Sequence, residues 1–146
     1  INSTSDAQRD EMFSGMQLPL DDFAAIAADL PRPVSRKYCL NFAYSTSFEL
    51  NAQRVRDLFD PDKFMCKITP IHNNNACREH QIVTLDGYDS WRPYQKPEQD
   101  LKDAGFDVLV FVPSIDEEDG LVTCGNAVLG GSTLKSDPSI IKIKGL

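Results

Sequence analysis

Lys63-Phe64-Met65-Cys66-Lys67-Ile68-Thr69-Pro70-Ile71 is the stretch on which the fold turns. It is apolar and aromatic without a helical repeat, and it runs out into the polar residues His72-Asn73-Asn74-Asn75, so it reads as a strand. Two further stretches have the same character. Upstream, Lys37-Tyr38-Cys39-Leu40-Asn41-Phe42-Ala43 is bounded by Pro33 and the Ser45-Thr46-Ser47 cluster. Downstream, Asp107-Val108-Leu109-Val110-Phe111-Val112 is apolar at successive positions, the pattern of a parallel strand buried between layers.

Between these strands the period changes. A helix is expected over 52–59, capped by Asn51, with Val55, Leu58 and Phe59 inward. Another is expected over 97–104, closed by Gly105. Two helices precede the first strand. Ser5-Asp6-Ala7-Gln8-Arg9-Asp10-Glu11-Met12-Phe13 can be capped by Ser3, Thr4 or Ser5 and ended by Gly15. Residues 20–30 carry Phe23, Ile26, Ala27 and Leu30 at helical spacing before Pro31. The polar stretch from His72 to about Arg92 has no clear period.

Strands alternating with helices argue for a parallel α/β sheet or barrel. Three such strands make a poor complete domain, because an open sheet this small leaves both edges unpaired. The expectation is therefore the later portion of a larger barrel. Ile1-Asn2-Ser3-Thr4 opens without an initiator Met, as an excised segment would.

The net charge of −7 runs against a protein that binds nucleic acid mainly through its phosphates. No apolar run approaches membrane-spanning length and no leader is visible, so the expected setting is cytoplasmic, away from membranes. Among the cysteines, Cys39 and Cys66 fall inside strand-like runs and are expected as buried core thiols. Cys124 sits in a loop beside Gly125, where a thiol can be reactive. His72, Cys77 and His80 lie close together, but zinc sites usually pair two short gaps and only Cys77-Arg78-Glu79-His80 supplies one.

In parallel α/β architectures chemistry gathers beyond the C-terminal ends of strands. Those places hold Asn2-Ser3-Thr4, His72-Asn73-Asn74-Asn75, and the stretch Asp116-Glu117-Glu118-Asp119 followed by Thr123-Cys124-Gly125-Asn126. Asn runs also serve plain turns, and an acidic run is most simply a solvated loop.

Ser5 to Met12, Cys66 to Ile71 with the asparagines after it, and Thr123-Cys124-Gly125-Asn126 stand in an order and at separations that resemble the radical S-adenosylmethionine (radical SAM) enzymes of the RNA adenine methyltransferase type. The resemblance runs from residue 1 to about residue 131 and covers the back half of that family's barrel; residues 132–146 stay unassigned. It implies the C-terminal part of a parallel, partial TIM-type radical SAM barrel, inactive without the cluster-binding N-terminal half as its partner. It implies S-adenosylmethionine and a 4Fe-4S iron-sulfur cluster as cofactors of the intact methyltransferase-like enzyme. S-Adenosylmethionine would be bound by Asn2 and Ser3 after the fourth strand and by Asn73 or Asn74 after the sixth, and Cys124 would carry the methyl group. Three departures stand beside it. The cluster motif C-x-x-x-C-x-x-C is absent from this chain, Asn41 stands where the family more often has an acid, and Pro113 and Asp116 replace basic residues. The last weighs against RNA as substrate. A non-enzymatic α/β module binding a nucleotide or a protein, and a zinc-stabilised domain, are the other classes open to this sequence.

Overall fold

The structure, a computed structural model, describes residues 1–13, 15–71, 78, 81–82 and 92–111. The elements follow in the order α1 (Asp6–Phe13), α2 (Leu20–Ala28), β1 (Tyr38–Tyr44), α3 (Ala52–Leu58), β2 (Phe64–Pro70), a 3-10 turn (Arg92–Tyr94), α4 (Gln95–Asp103) and β3 (Val108–Val110). The strands form one open sheet of three in the order β1-β2-β3, and both pairings are parallel. The expected parallel α/β arrangement is present as a small sheet that does not close.

Register decides which side chains share a face. Leu40 pairs with Cys66 and Phe42 with Ile68, while Cys66 pairs with Val108 and Ile68 with Val110. Two apolar rows therefore cross all three strands on one side. Leu20, Ala24 and Ala27 of α2, Val55 of α3 with Phe59 just after it, and Leu101 of α4 pack with these rows as a single buried cluster. Phe42, Cys66 and Ile68 are fully buried, and each side chain as large as Phe or Ile contributes about 1.5–3 kcal/mol. Aromatic rings extend the cluster from helix to sheet: Phe23 meets Phe59 at 5.9 Å, Phe59 meets Phe64 at 5.5 Å, and Phe64 meets Tyr38 at 5.6 Å.

The helix ends are held by particular side chains. Asn51 accepts a hydrogen bond from the Arg54 amide at 3.1 Å, so the expected cap of α3 is in place. The Leu20 amide at the start of α2 donates to Asp6 Oδ1 at 2.7 Å, and the ammonium of buried Lys63 donates to the Ala28 carbonyl at its end, also at 2.7 Å. Both charges match the helix dipole. Gly105 has φ +95, a left-handed conformation that glycine adopts without strain, and it turns the chain from α4 into β3.

Three expectations need correction. Residues 108–110 are not buried on both faces, because Leu109 is 50% exposed: the helices cover one side of the sheet and Leu109 lies on the other. Ile26 of α2 and Leu30 just after it are exposed. Of the expected stripe Ala27 is buried and Phe23 packs against the core, with Leu20 and Ala24 beside them. Cys39 is exposed while Cys66 is buried, because they alternate across the same sheet.

Burial pushes the Cys66 thiol up to about 12 from its ordinary 9. Above pH 9 the unfolded chain releases this proton and the folded chain keeps it, so Cys66 removes stability as pH rises towards 12, by at most ~1.4 kcal/mol per unit. Urea unfolding of wild type and Cys66→Ala at pH 8 and pH 10.5 checks the sign. The variant is less stable at pH 8, where only the lost packing counts, and the gap narrows at pH 10.5.

Candidate functional site

The C-terminal ends of β1 and β2 point the same way because the strands are parallel, so the chain leaves both strands at one end of the sheet. The first residues of the chain join that end from the outer side of β1. The Ile1 nitrogen donates to the Asn41 carbonyl at 2.9 Å, and the Thr4 amide donates to the Glu49 carbonyl at 2.9 Å. Asn2-Ser3-Thr4 is thereby laid against the loop that leads from β1 to α3.

Ser3 is fully buried. Its hydroxyl lies 2.7 Å from Gln8 Oε1 and 3.2 Å from the Glu49 carbonyl, and it accepts from the Ser5 amide at 3.0 Å. The single hydroxyl hydrogen serves the shorter contact, so donor and acceptor are both engaged. Thr4 does the same work one residue on. Its hydroxyl sits 2.9 Å from Glu49 Oε1 and accepts from the Asn51 amide at 3.0 Å. Gln8 closes the circuit: its Oε1 accepts from the Glu49 amide at 2.8 Å and its Nε2 donates to the Ser47 carbonyl at 3.1 Å. Ser3 is in this structure a fastener for the β1–α3 loop. Asn2 is half-buried and stands at the edge of the same network.

Of the residues singled out from sequence, Asn2 and Ser3 lie at the C-terminal end of β1. Asn73, Asn74 and Cys124 lie outside the described residues, as do His72, Cys77, His80, Pro113, Asp116 and residues 132–146. The described chain ends its second strand at Pro70 with Ile71 buried after it, so Asn73 and Asn74 come three and four residues after that strand's end in the sequence. Among the described residues no group of three His, Cys, Asp or Glu side chains could hold a metal ion, and no helix is long and apolar enough to cross a membrane.

The sheet face turned away from the helices carries polar residues, of which the sequence singled out Asn41 alone. Asn41 and Lys67 are register partners. Asn41 Oδ1 accepts from the Thr69 hydroxyl at 2.7 Å, and the Lys67 ammonium stands 4.7 Å from the centroid of the Phe111 ring. Exposed Cys39 shares this face; partial burial pushes its thiol up, and the nearby Lys67 charge pulls it back down. Towards the strands' C-terminal ends the same face is closed by Ala43 and Ile71, packed with Phe48 and Ile82. The signal was present in the sequence: Asn41, Lys67 and Thr69 recur at alternate positions of otherwise apolar strands, the mark of a face that is not core.

No family model matches the chain, and no curated protein or solved structure is significantly similar to it.

Ser3→Ala leaves the Ser5 amide without its acceptor and takes from Gln8 Oε1 one of its two donors, the Glu49 amide remaining, a loss of about 1–3 kcal/mol. Urea denaturation is expected to show that drop for Ser3→Ala, and a change under about 0.5 kcal/mol for Asn2→Ala, whose side chain is partly solvated.

Proposed function

We propose that the chain is a sector of the parallel barrel of a radical S-adenosylmethionine enzyme of methyltransferase type, working with a cluster-bearing N-terminal half. The observation that carries this reading is the sheet itself. Consecutive parallel strands lie in the order β1-β2-β3 with their helices on one side, and the opposite side presents Asn41, Lys67 and Thr69 where a barrel would have its interior. The barrel family puts its chemistry at the C-terminal ends of such strands, and Asn2 stands at that end of β1 with its side chain partly open.

The residues fit S-adenosylmethionine unequally. Asn2, with Asn73 or Asn74 beyond β2, supplies carboxamides suited to the amino-acid and adenine groups of the cofactor. Ser3 is fully buried and its hydroxyl is engaged by Gln8, Glu49 and the Ser5 amide, so its part is to hold the segment next to Asn2 in place. The 4Fe-4S cluster has no ligand motif in this chain and would be held by the other half. S-Adenosylmethionine would supply the methyl group and the radical chemistry. Cys124, followed by Gly125, would be the thiol that carries the methyl, since sulfur is a competent nucleophile once deprotonated. RNA as the substrate is disfavoured by the acidic run from Asp116 to Asp119.

The test uses the enzyme assembled with its cluster-bearing half under reducing, oxygen-free conditions. Cys124→Ala is expected to abolish methyl transfer and the methyl adduct seen by intact-protein mass spectrometry, while reductive cleavage of S-adenosylmethionine continues. Asn73→Ala or Asn74→Ala is expected to weaken cofactor binding by about tenfold, the loss of one hydrogen bond to a polar ligand. Full methyl transfer by Cys124→Ala removes this residue from the mechanism. The absence of any S-adenosylmethionine binding removes the reading as a whole.

A further inference from the structure

Arg9 is only 4% exposed, unusual for a residue that is seldom buried without a partner. Its Nη2 donates to Gln17 Oε1 at 2.9 Å and to the Leu18 carbonyl at 2.8 Å. Asp6 Oδ1 stands 3.7 Å from its Nε, beyond hydrogen-bond reach. Among the described residues, the Nε and Nη1 groups are both buried with no hydrogen-bond partner. Asp6 and Asp10 both act on the guanidinium by charge, and Asp6 is drawn elsewhere, because it also receives the Leu20 amide and Arg54 Nη2.

This guanidinium borders a groove of about 320 Å3 lined by Ile1, Arg9, Met16, Gln17, Leu18 and Phe23. That volume lies within the range of small-molecule sites. Apart from Arg9 and the Gln17 carboxamide the lining residue types are apolar, and Met16 and Leu18 at its mouth are 86% and 51% exposed. An apolar trough ending on a buried cation with unmet donors suits a molecule with one anionic end and an apolar body.

We infer that this groove binds a small organic monocarboxylate with an apolar tail, its carboxylate bridging Arg9 Nη1 and Nη2 and displacing the oxygen of Gln17. A neutral amide oxygen now occupies one prong of a fork that matches a carboxylate in both spacing and charge. Gln17 is half-buried on the connection between α1 and α2, so turning it out disturbs no regular element. A monoanion is favoured over a phosphate because Asp6 lies alongside and the chain is acidic throughout. The groove shares Ile1 with the segment that leads to Asn2, but the inference does not depend on the cofactor assignment.

The probe is 4-phenylbutyrate, titrated into the full chain by calorimetry and by amide NMR shifts, with 4-phenylbutan-1-ol and inorganic phosphate as controls. The acid is expected to bind at least about tenfold more tightly than the alcohol, as a charge-assisted bidentate pair requires, with shifts centred on residues 9 and 16–23. Gln17→Glu decides the matter without touching the core: its own carboxylate pairs with Arg9, raising the melting temperature and cutting binding of the acid at least tenfold. Gln17→Ala retains binding, because the fork is left open. Arg9→Gln abolishes the preference for the acid, and should that variant fail to fold, the Gln17 pair still discriminates. Equal binding of acid and alcohol, phosphate binding in place of the carboxylate, no binding of the acid at millimolar concentration, or a Gln17→Glu variant that binds as wild type, each overturns the inference.

Discussion

The structure depends on a parallel register that sorts alternate residues onto opposite faces and a set of helices that covers only one of them. Rows such as Leu40–Cys66–Val108 and Phe42–Ile68–Val110 are buried because α2, α3 and α4 lie over them. The complementary row of Asn41, Lys67 and Leu109 is not. Slipping β2 by one residue against β1 would carry Lys67 into the helix-side core and Ile68 out of it, so the register is strongly specified. Everything else is arranged around that asymmetry: the exposure of Leu109, the contrast between Cys39 and Cys66, and the polar pair of Asn41 and Thr69.

The helical side is tied together by one carboxylate more than by any other group. Asp6 receives the first amide of α2, lies beside Arg9 in its own helix, and pairs with Arg54 of α3 at 3.2 Å. Arg54 in turn reaches Asp21 of α2 at 2.9 Å. Ion pairs this exposed contribute little individually. Their effect here is geometric, since three helices from separate parts of the chain converge on one side chain. The opposite flank of α1 is fastened by hydroxyls and a carboxamide through Ser3, Thr4 and Gln8, which leaves the α1–α2 connection free to form the groove beside Arg9.

Much of this was legible in the residues themselves. Parallel α/β order followed from strands separated by helical stretches, and Asn51, Gly15 and Gly105 marked helix ends that the structure has. What escaped was orientation within an element. Periodicity proposed Phe23, Ile26, Ala27 and Leu30 as core; Ala27 is buried, but the buried stripe runs through Leu20 and Ala24 and leaves Ile26 and Leu30 out. Cys39 and Cys66 looked alike because both sit in apolar runs; only pairing with a neighbouring strand tells which face each takes. Ser3 read as a ligand residue by position, whereas its surroundings are supplied by Gln8 and Glu49, a partnership with no local sequence signal. The unpaired donors of Arg9 are equally invisible in one dimension, for Asp6 beside it is engaged by the Leu20 amide and Arg54.

One face of this sheet is core, and the other is open at Cys39 and covered only towards the strands' C-terminal ends. The most direct test is the rate at which maleimide labels each thiol of the native chain at pH 8, resolved by peptide mass spectrometry. The account predicts fast modification of Cys39, and protection of Cys66 by at least about a hundredfold, released only when the chain is unfolded in urea. Labelling of Cys66 in the native chain as fast as that of Cys39, or protection of Cys39 equal to that of Cys66, contradicts it.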